Sequence, residues 1–252
     1  KLDEIRALCQ RCTVLRGGRV TGVVDPTRET NASLSRLMIG AEPPQLVHRA
    51  GAAGATVLAV RALALPRADQ FAVELRDVEF DVRGGEIVGV AGVSGNGQQE
   101  LMAVLSGEDR RAAPGTVMLL GHDVARAGPR ERRRLGLHLV PEERLGRGAV
   151  PTMSLAHNTL LTRTAAVGRF GWIRTGEVRR LAEHLSARFN VKAGGPGAAA
   201  RSLSGGNLQK FIVGREIDAT PKCLVVSQPT WGVDVGAAAQ IRQAMLALRD
   251  AG

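Results

Sequence analysis

The sequence predicts an α/β protein with a mostly parallel central sheet, and three observations carry that expectation. The last third alternates a helical pattern over Asn207 to Ile217, an apolar strand over Cys223 to Ser227 and a second helical pattern over Ala237 to Leu248. An apolar run, GEIVGVAGV at Gly85 to Val93, leads directly into the glycine turn GVSGNG and then into a helical pattern at Gln98 to Leu105. Ahead of it, TVLAVRALAL and FAVELRDVEFDV have the alternating faces of strands.

The elements follow in order from the N-terminus. Leu2 to Gln10 reads as a short helix, and CTVLRGGRVTG as a strand-turn-strand with its turn at Gly17 and Gly18. Helical spacing returns at Ser33 to Ile39, and Ala41 to Gly54, with Pro43, Pro44 and several small residues, reads as a linker that puts a boundary near residue 55. GEIVGVAGV is expected to be a strand buried on both sides, because it is apolar without alternation. A further strand, LGLHLV, ends at Pro141, helical patches occupy Pro151 to Val191, and GGPGAAA precedes the last α/β stretch.

Composition narrows the function classes. With 252 residues and 44% hydrophobic content the chain can bury a sizeable core. No run approaches the roughly 18 apolar residues of a membrane span, so any membrane link is expected to be peripheral. No signal peptide is evident, and the start at Lys1 is read as a cut boundary. The formal charge is +10, carried by 30 arginines and only four lysines: Lys1, Lys192, Lys210 and Lys222. A basic balance favours nucleic acid or anionic surfaces, but base-stacking modules want exposed aromatics, and this chain has no Tyr, two Trp and five Phe. No nucleic-acid partner is therefore expected. Cys9 and Cys12 form a lone CxxC without a second pair or a His cluster, so they are read as two reduced cysteines on a helix, and no metal site is expected.

Two glycine turns carry the chemistry. GVSGNGQQ places Gly92, Gly95, Asn96 and Gly97 at the spacing of a phosphate-binding loop, G-x-x-x-x-G-K-[ST], but Gln98 stands at the lysine position and Gln99 at the magnesium-binding hydroxyl position. No lysine lies between Lys1 and Lys192, so no shift of alignment restores the charge. The backbone N–H groups of Gly95 to Gln98 and the helix dipole remain as phosphate donors, and Glu100 adds an anion nearby. The second turn, Ser204-Gly205-Gly206-Asn207 within RSLSGGNLQKFIVGREI, opens an amphipathic helix. Its free amides and hydroxyl suit a phosphate.

LSGGN at Leu203 to Asn207 resembles the signature motif of ABC-type ATPases. The resemblance implies an ABC-type P-loop ATPase fold: a mostly parallel core sheet, an antiparallel β subdomain and a helical signature subdomain. In KCLVVSQPTWGVD it places Ser227 and Gln228 where the family has an Asp that organises Mg²⁺ and a Glu that acts on the attacking water, and Gln228 cannot take a proton from water at neutral pH. Asp234 resembles the D-loop aspartate, Glu142 of VPEER stands where a Gln is usual, and Phe71 is the candidate for adenine stacking. No intact catalytic set is expected on this chain.

GNGQ, VPEER followed by GRGAVPTMSLAHN, LSGGNLQK and SQPTWGVDVGA together resemble the C-terminal ATP-binding domain of tandem ATPases in bacterial simple-sugar and nucleoside importers, over residues ~56–252. The resemblance implies that 1–40 is the tail of a first ATP-binding domain, 41–55 a linker and 56–252 a second domain cut before its switch histidine. It implies an ATPase as the full tandem chain, with ATP and Mg²⁺ bound mainly at the partner domain and the signature donated in trans. The implied partners are the first domain of the same chain, two permease subunits docking near VPEER and, indirectly, a periplasmic or lipid-anchored substrate-binding protein. The implied place is the cytoplasmic face of the inner membrane. Two rivals stay open: a soluble ABC ATPase acting on nucleic acid or ribosomes, and a pseudo-ATPase scaffold that binds no nucleotide.

Overall fold

A short N-terminal unit comes first in the structure, a computed structural model that describes residues 2–40, 53–163, 168–169 and 172–252. Helix α1 (Leu2–Leu8) precedes a hairpin of β1 (Cys12–Arg16) and β2 (Arg19–Val24), and α2 (Asn31–Ile39) follows. The hairpin forms at the expected turn, where Gly17 and Gly18 have φ of 57° and 78°. Positive φ at both central residues gives a two-residue turn the twist that its strands need. Helix α2 starts earlier than its apolar spacing suggests, because Thr30 and Ser33 cap it reciprocally. Cys9 and Cys12 do not share a helix as expected. The helix ends at Leu8, leaving Cys9 exposed and Cys12 opening β1. The expected linker falls mostly outside the described residues.

The next layer is an antiparallel sheet of β3 (Thr56–Leu65), β4 (Leu75–Arg83), β5 (Val117–Leu119) and β6 (His122–Asp123), in the order β4-β3-β5-β6. In β3 the inward residues are Leu58, Val60, Leu63 and Leu65, so the alternation slips by one after Val60. The cause is an irregularity in the ladder at Ala62, whose φ is 42°. These side chains pack with Leu101, Val104 and Leu105 of α3 (Gln98–Ser106) into one core.

Arg132, on α4 (Pro129–Leu135), fixes the far end of α3. Its fully buried guanidinium donates to the carbonyls of Val104 at 2.6 Å, Leu105 at 3.0 Å, Val124 at 2.5 Å and Ala127 at 3.0 Å. Two of these carbonyls belong to the last turn of α3, the negative end of that helix, where a cation is favourable. Burial pulls the Arg132 pKa down to about 10.

A parallel pair, β7 (Leu137–Val140) and β10 (Cys223–Val226), forms the second sheet, with Leu137 opposite Cys223 and Val140 opposite Val226. Parallel neighbours need a long crossover, and here it carries α5 (Leu155–Leu160), a small ladder of β8 (Gly168–Arg169) with β9 (Trp172–Ile173), α6 (Thr175–Arg188) and α7 (Gly205–Asp218). Helix α8 (Val235–Asp250) packs on α7, and Leu155, Leu185, Leu208, Phe211, Ile212 and Ile241 form its core. The α/β class, the antiparallel sheet and the helical subdomain match the expectation.

The segment GEIVGVAGV does not. Among the described residues, Gly85 to Val93 pairs with no strand, and Ile87, Val90 and Val93 are 49%, 59% and 75% exposed. A doubly buried strand needs a ladder partner on its edge and layers on both faces. Beside β10 the described sheet supplies only β7, so this run keeps its apolar side chains in water.

Between α7 and β7 lies a buried ionic node. Glu216 Oε2 accepts from Arg133 at 2.6 Å and lies 3.0 Å from His138 Nδ1, while Oε1 accepts from Arg215 Nε at 2.8 Å. Arg215 also donates to the carbonyls of Asn158 and Gly148, and Arg163 bonds Asp218 at the end of α7. Burial alone would push the Glu216 carboxyl up. The contacts of His138, Arg215 and Arg133 outweigh it and hold it at about 2.

Candidate functional site

The glycine loop is closed by its own side chain. Gln98, the first residue of α3, folds back so that its Oε1 accepts from the Asn96 amide at 3.1 Å and its Nε2 donates to the Val93 carbonyl at 3.0 Å. A Cβ on Gly92 would lie 2.4 Å from that Nε2, so the Gln98 amide occupies the inside of the loop. The Asn96 amide also reaches the Val93 carbonyl at 3.2 Å. One of the four amides expected to cradle a phosphate is thereby satisfied internally. Gly97 caps α3 with φ of 99°, and a Cβ there would meet Leu75 Cδ2 at 2.8 Å, so the position requires glycine.

Glu100 faces the segment before the loop, its Oε1 accepting from the Val73 amide at 2.9 Å. This corrects the expectation of a free anion at the phosphate position: the unpaired Val73 N–H draws the carboxylate away. Phe71, two residues from Val73, is 86% exposed and stacks on no ring among the described residues, with its amide bonded to Asp69 at 2.8 Å.

Ser227 and Gln228 follow β10, and the Ser227 amide donates to the Val140 carbonyl at 2.9 Å. That bond places the start of VPEER beside the start of SQPTWGVD, both at the C-terminal ends of parallel strands, where open α/β sheets present their ligand-binding loops. Gln228 has a φ of 46°, and its carbonyl accepts from the Trp231 amide at 3.1 Å. Glu142 is exposed.

Among the described residues, the signature turn keeps its donors free. Ser204 caps α7, its Oγ accepting from the Asn207 amide at 3.4 Å and from Asn207 Nδ2 at 3.0 Å. Both bonds use oxygen lone pairs, which leaves the hydroxyl proton for an outside acceptor. The amides of Gly205 and Gly206 lie in the first turn, where the helix itself has no acceptor for them. Asn207 Oδ1 turns inward and accepts from the Lys192 amide at 2.9 Å.

Both glycines lie close to charged side chains. A Cβ on Gly205 would lie 2.5 Å from Arg144 Nη1, and one on Gly206 would lie 3.1 Å from Asp234 Oδ2. Asp234 caps α8 as well, accepting from the Ala237 amide at 2.8 Å. The structure thus brings Ser204, Gly205, Gly206 and Asp234 together with Arg144, a residue that sequence reasoning did not single out. It joins none of them by hydrogen bond to the loop at Gln98 and Gln99, among the described residues. A cavity of about 710 Å³ opens between α6, α7 and α8 near Phe189, Lys210 and Leu248, and neither turn lines it.

Residues 75–231 match the ABC transporter family. The chain belongs to the ABC transporter family. Within it, the chain is 36% identical to the nucleoside import ATP-binding protein NupA of Lactococcus lactis, covering all of this chain and 50% of NupA. It is 41% identical to the glucose import ATP-binding protein TsgD13 of Haloferax volcanii, with 100% and 46% covered, and 37% identical to the guanosine import ATP-binding protein NupO of Bacillus subtilis, with 97% and 48% covered. The chain therefore spans about half the length of these curated relatives. Its fold is that of solved ABC cassettes: the ADP- and phosphate-bound dimer of the cassette MJ0796 superposes with a TM-score of 0.63 at 18% identity, over 77% of this chain and 83% of that one.

This ABC domain presents neutral oxygen donors rather than carboxylates at three of the positions above. Gln99, Ser227 and Gln228 offer amides and a hydroxyl, and among the described residues no group of three or more His, Cys, Asp or Glu could hold a metal ion. No helix among the described residues is long and apolar enough to cross a membrane.

Proposed function

We propose that this chain is the signature-donating ATP-binding portion of an ABC importer for nucleosides or simple sugars. One contrast carries the reading: the Ser204-Gly205-Gly206 turn keeps its hydroxyl proton and two amides free, while the Gln98 amide fills its own loop. The first arrangement suits a phosphate presented by another domain. The second lacks the cation and the metal ligands that phosphoryl transfer uses.

In this reading residues 1–40 are the end of a first ATP-binding domain, 41–55 a linker and 56–252 the second domain. ATP would be held by the first domain, where bound Mg²⁺ would supply charge neutralisation. This chain orients the terminal phosphate from the opposite side through Ser204 Oγ and the amides of Gly205 and Gly206, beside Asp234, which caps α8. The loop from Gly92 to Gln99 is a regulatory site or none. Two permease subunits dock near VPEER, a substrate-binding protein delivers cargo from outside, and the assembly sits at the cytoplasmic face of the membrane. The import functions in the names of NupA, NupO and TsgD13 support both nucleosides and sugars as cargo classes.

The test is the ATPase rate of the full-length protein with its permease, wild type against Ser204→Arg. The longer side chain fills the turn while leaving Gln98 untouched, so activity is expected to collapse. Persistence of activity would mean that hydrolysis does not use this signature.

A further inference from the structure

A cation lies against the signature turn from behind. Arg144, the last residue of VPEER, lies between two loops that are distant in sequence. Its Nη2 donates to the Trp231 carbonyl at 3.1 Å, and a Cβ on Gly232 would come within 2.8 Å of the same nitrogen. Its Nη1 faces Gly205, where a Cβ would come within 2.5 Å. Both neighbours are glycines, and a side chain at either would have to displace the guanidinium from its present place.

The anchor of Arg144 is firm. Its own carbonyl accepts from the Ala149 amide at 2.7 Å and that of Glu143 from the Gly148 amide at 2.9 Å, closing the 143–149 turn. The buried Arg215 of α7 donates to the Gly148 carbonyl at 2.8 Å, tying that turn to the body of the signature helix. Among the described residues no carboxylate pairs with the Arg144 guanidinium, whose one hydrogen bond is to Trp231. It also sits at the positive end of α7, where a cation gains nothing from the helix. Charge therefore does not explain its place, and geometry does: a planar fork long enough to touch both loops at once.

We infer that Arg144 is a positioning residue that holds the signature turn in register with the Trp231–Asp234 loop, so that Ser204 Oγ and the Gly205 amide meet the phosphate together. The inference rests on the trans-signature reading above. It also makes the VPEER loop a direct mechanical contact of the signature, without passing through the Gln98 loop.

The experiment uses the full-length protein with its permease and compares Arg144→Ala, Arg144→Lys and Ser204→Arg, reading kcat, the KM for ATP and the melting temperature. Misplacement of a donor acts on the transition state more than on ATP held by the other domain. For Arg144→Ala, kcat is expected to fall about 10-fold or more, with KM within about 2-fold and an unchanged melting temperature. Arg144→Lys is expected to fail to rescue, since an ammonium cannot span both loops. Rescue by Lys, an unchanged kcat, or a kcat loss accompanied by a lowered melting temperature would each overturn the inference. An inactive Ser204→Arg beside a fully active Arg144→Ala removes only the role of Arg144. Two fully active variants remove the trans-signature reading and this inference with it.

Discussion

Replacing Glu216 by Gln tests the ionic node between α7 and β7 with little change of shape. The carboxylate is fully buried and serves Arg215, itself buried, and Arg133, which is mostly so. Its hold at about 2, against 4.5 for a free side chain, corresponds to about 3 kcal/mol at neutral pH. Removing one member of a buried pair typically costs about 3–5 kcal/mol, because the remaining charge is left without a counter-ion. At about 2–4 °C per kcal/mol for a domain of this size, the melting temperature should drop by roughly 10 °C. The pH dependence follows from the sign of the shift. A carboxyl with a depressed folded-state pKa stabilises the fold above its unfolded pKa, and that contribution fades as pH falls through about 4.5 toward 2. The gap between wild type and Glu216→Gln should therefore be full at pH 7, narrower by about 1 kcal/mol at pH 4 and smaller still below. Thermal and urea denaturation at both pH values measure it. A melting temperature within about 2 °C of wild type at pH 7 would refute the reasoning, since it would mean that the two arginines find other partners at no cost.

Arg132→Met removes a guanidinium that serves carbonyls in three segments, of which Val104 and Val124 keep a backbone donor in Gly107 and Ala127. A loss of about 3 kcal/mol or more is expected by urea denaturation, with amide exchange rising in the last turn of α3. The double variant Gln98→Ala/Gln228→Ala of the full-length protein should keep most of its ATPase activity. A fall of more than about 10-fold, near 1.4 kcal/mol in the barrier, would show that the altered loop takes part in turnover.

Much of this was legible in the sequence where a short motif has its own backbone requirement. Gly17-Gly18, Gly97 and Ser204-Gly205-Gly206 could be placed because each turn admits few residues, and the strand-turn-helix context followed. What stayed hidden depends on partners far along the chain. Arg215 and Glu216 lie in an otherwise apolar-rich stretch of α7, a visible oddity, but Arg133 and His138 complete the node from about 80 residues away. The fold-back of Gln98 was beyond reach for another reason: the substitution announces the loss of a cation, not what the amide does instead. Arg144 carries no signal of its own in VPEER, because its two partners, Gly205 and Trp231, lie more than 60 residues further along the chain. GEIVGVAGV is the least legible segment, since an apolar run reports what a segment can bury and not whether a neighbour is there to cover it.

That uncovered run has a bearing on how the isolated polypeptide behaves in solution. Ile87, Val88, Val90 and Val93 are exposed along one extended stretch with no ladder partner among the described residues, and the edge of β10 away from β7 is unpaired in the same sense. Backbone groups of this kind are templates for intermolecular pairing. At high concentration two copies are expected to pair through these edges. Self-association would then climb with concentration and fall when Val90 is changed to Lys, which puts a charge in the middle of the adhesive stretch.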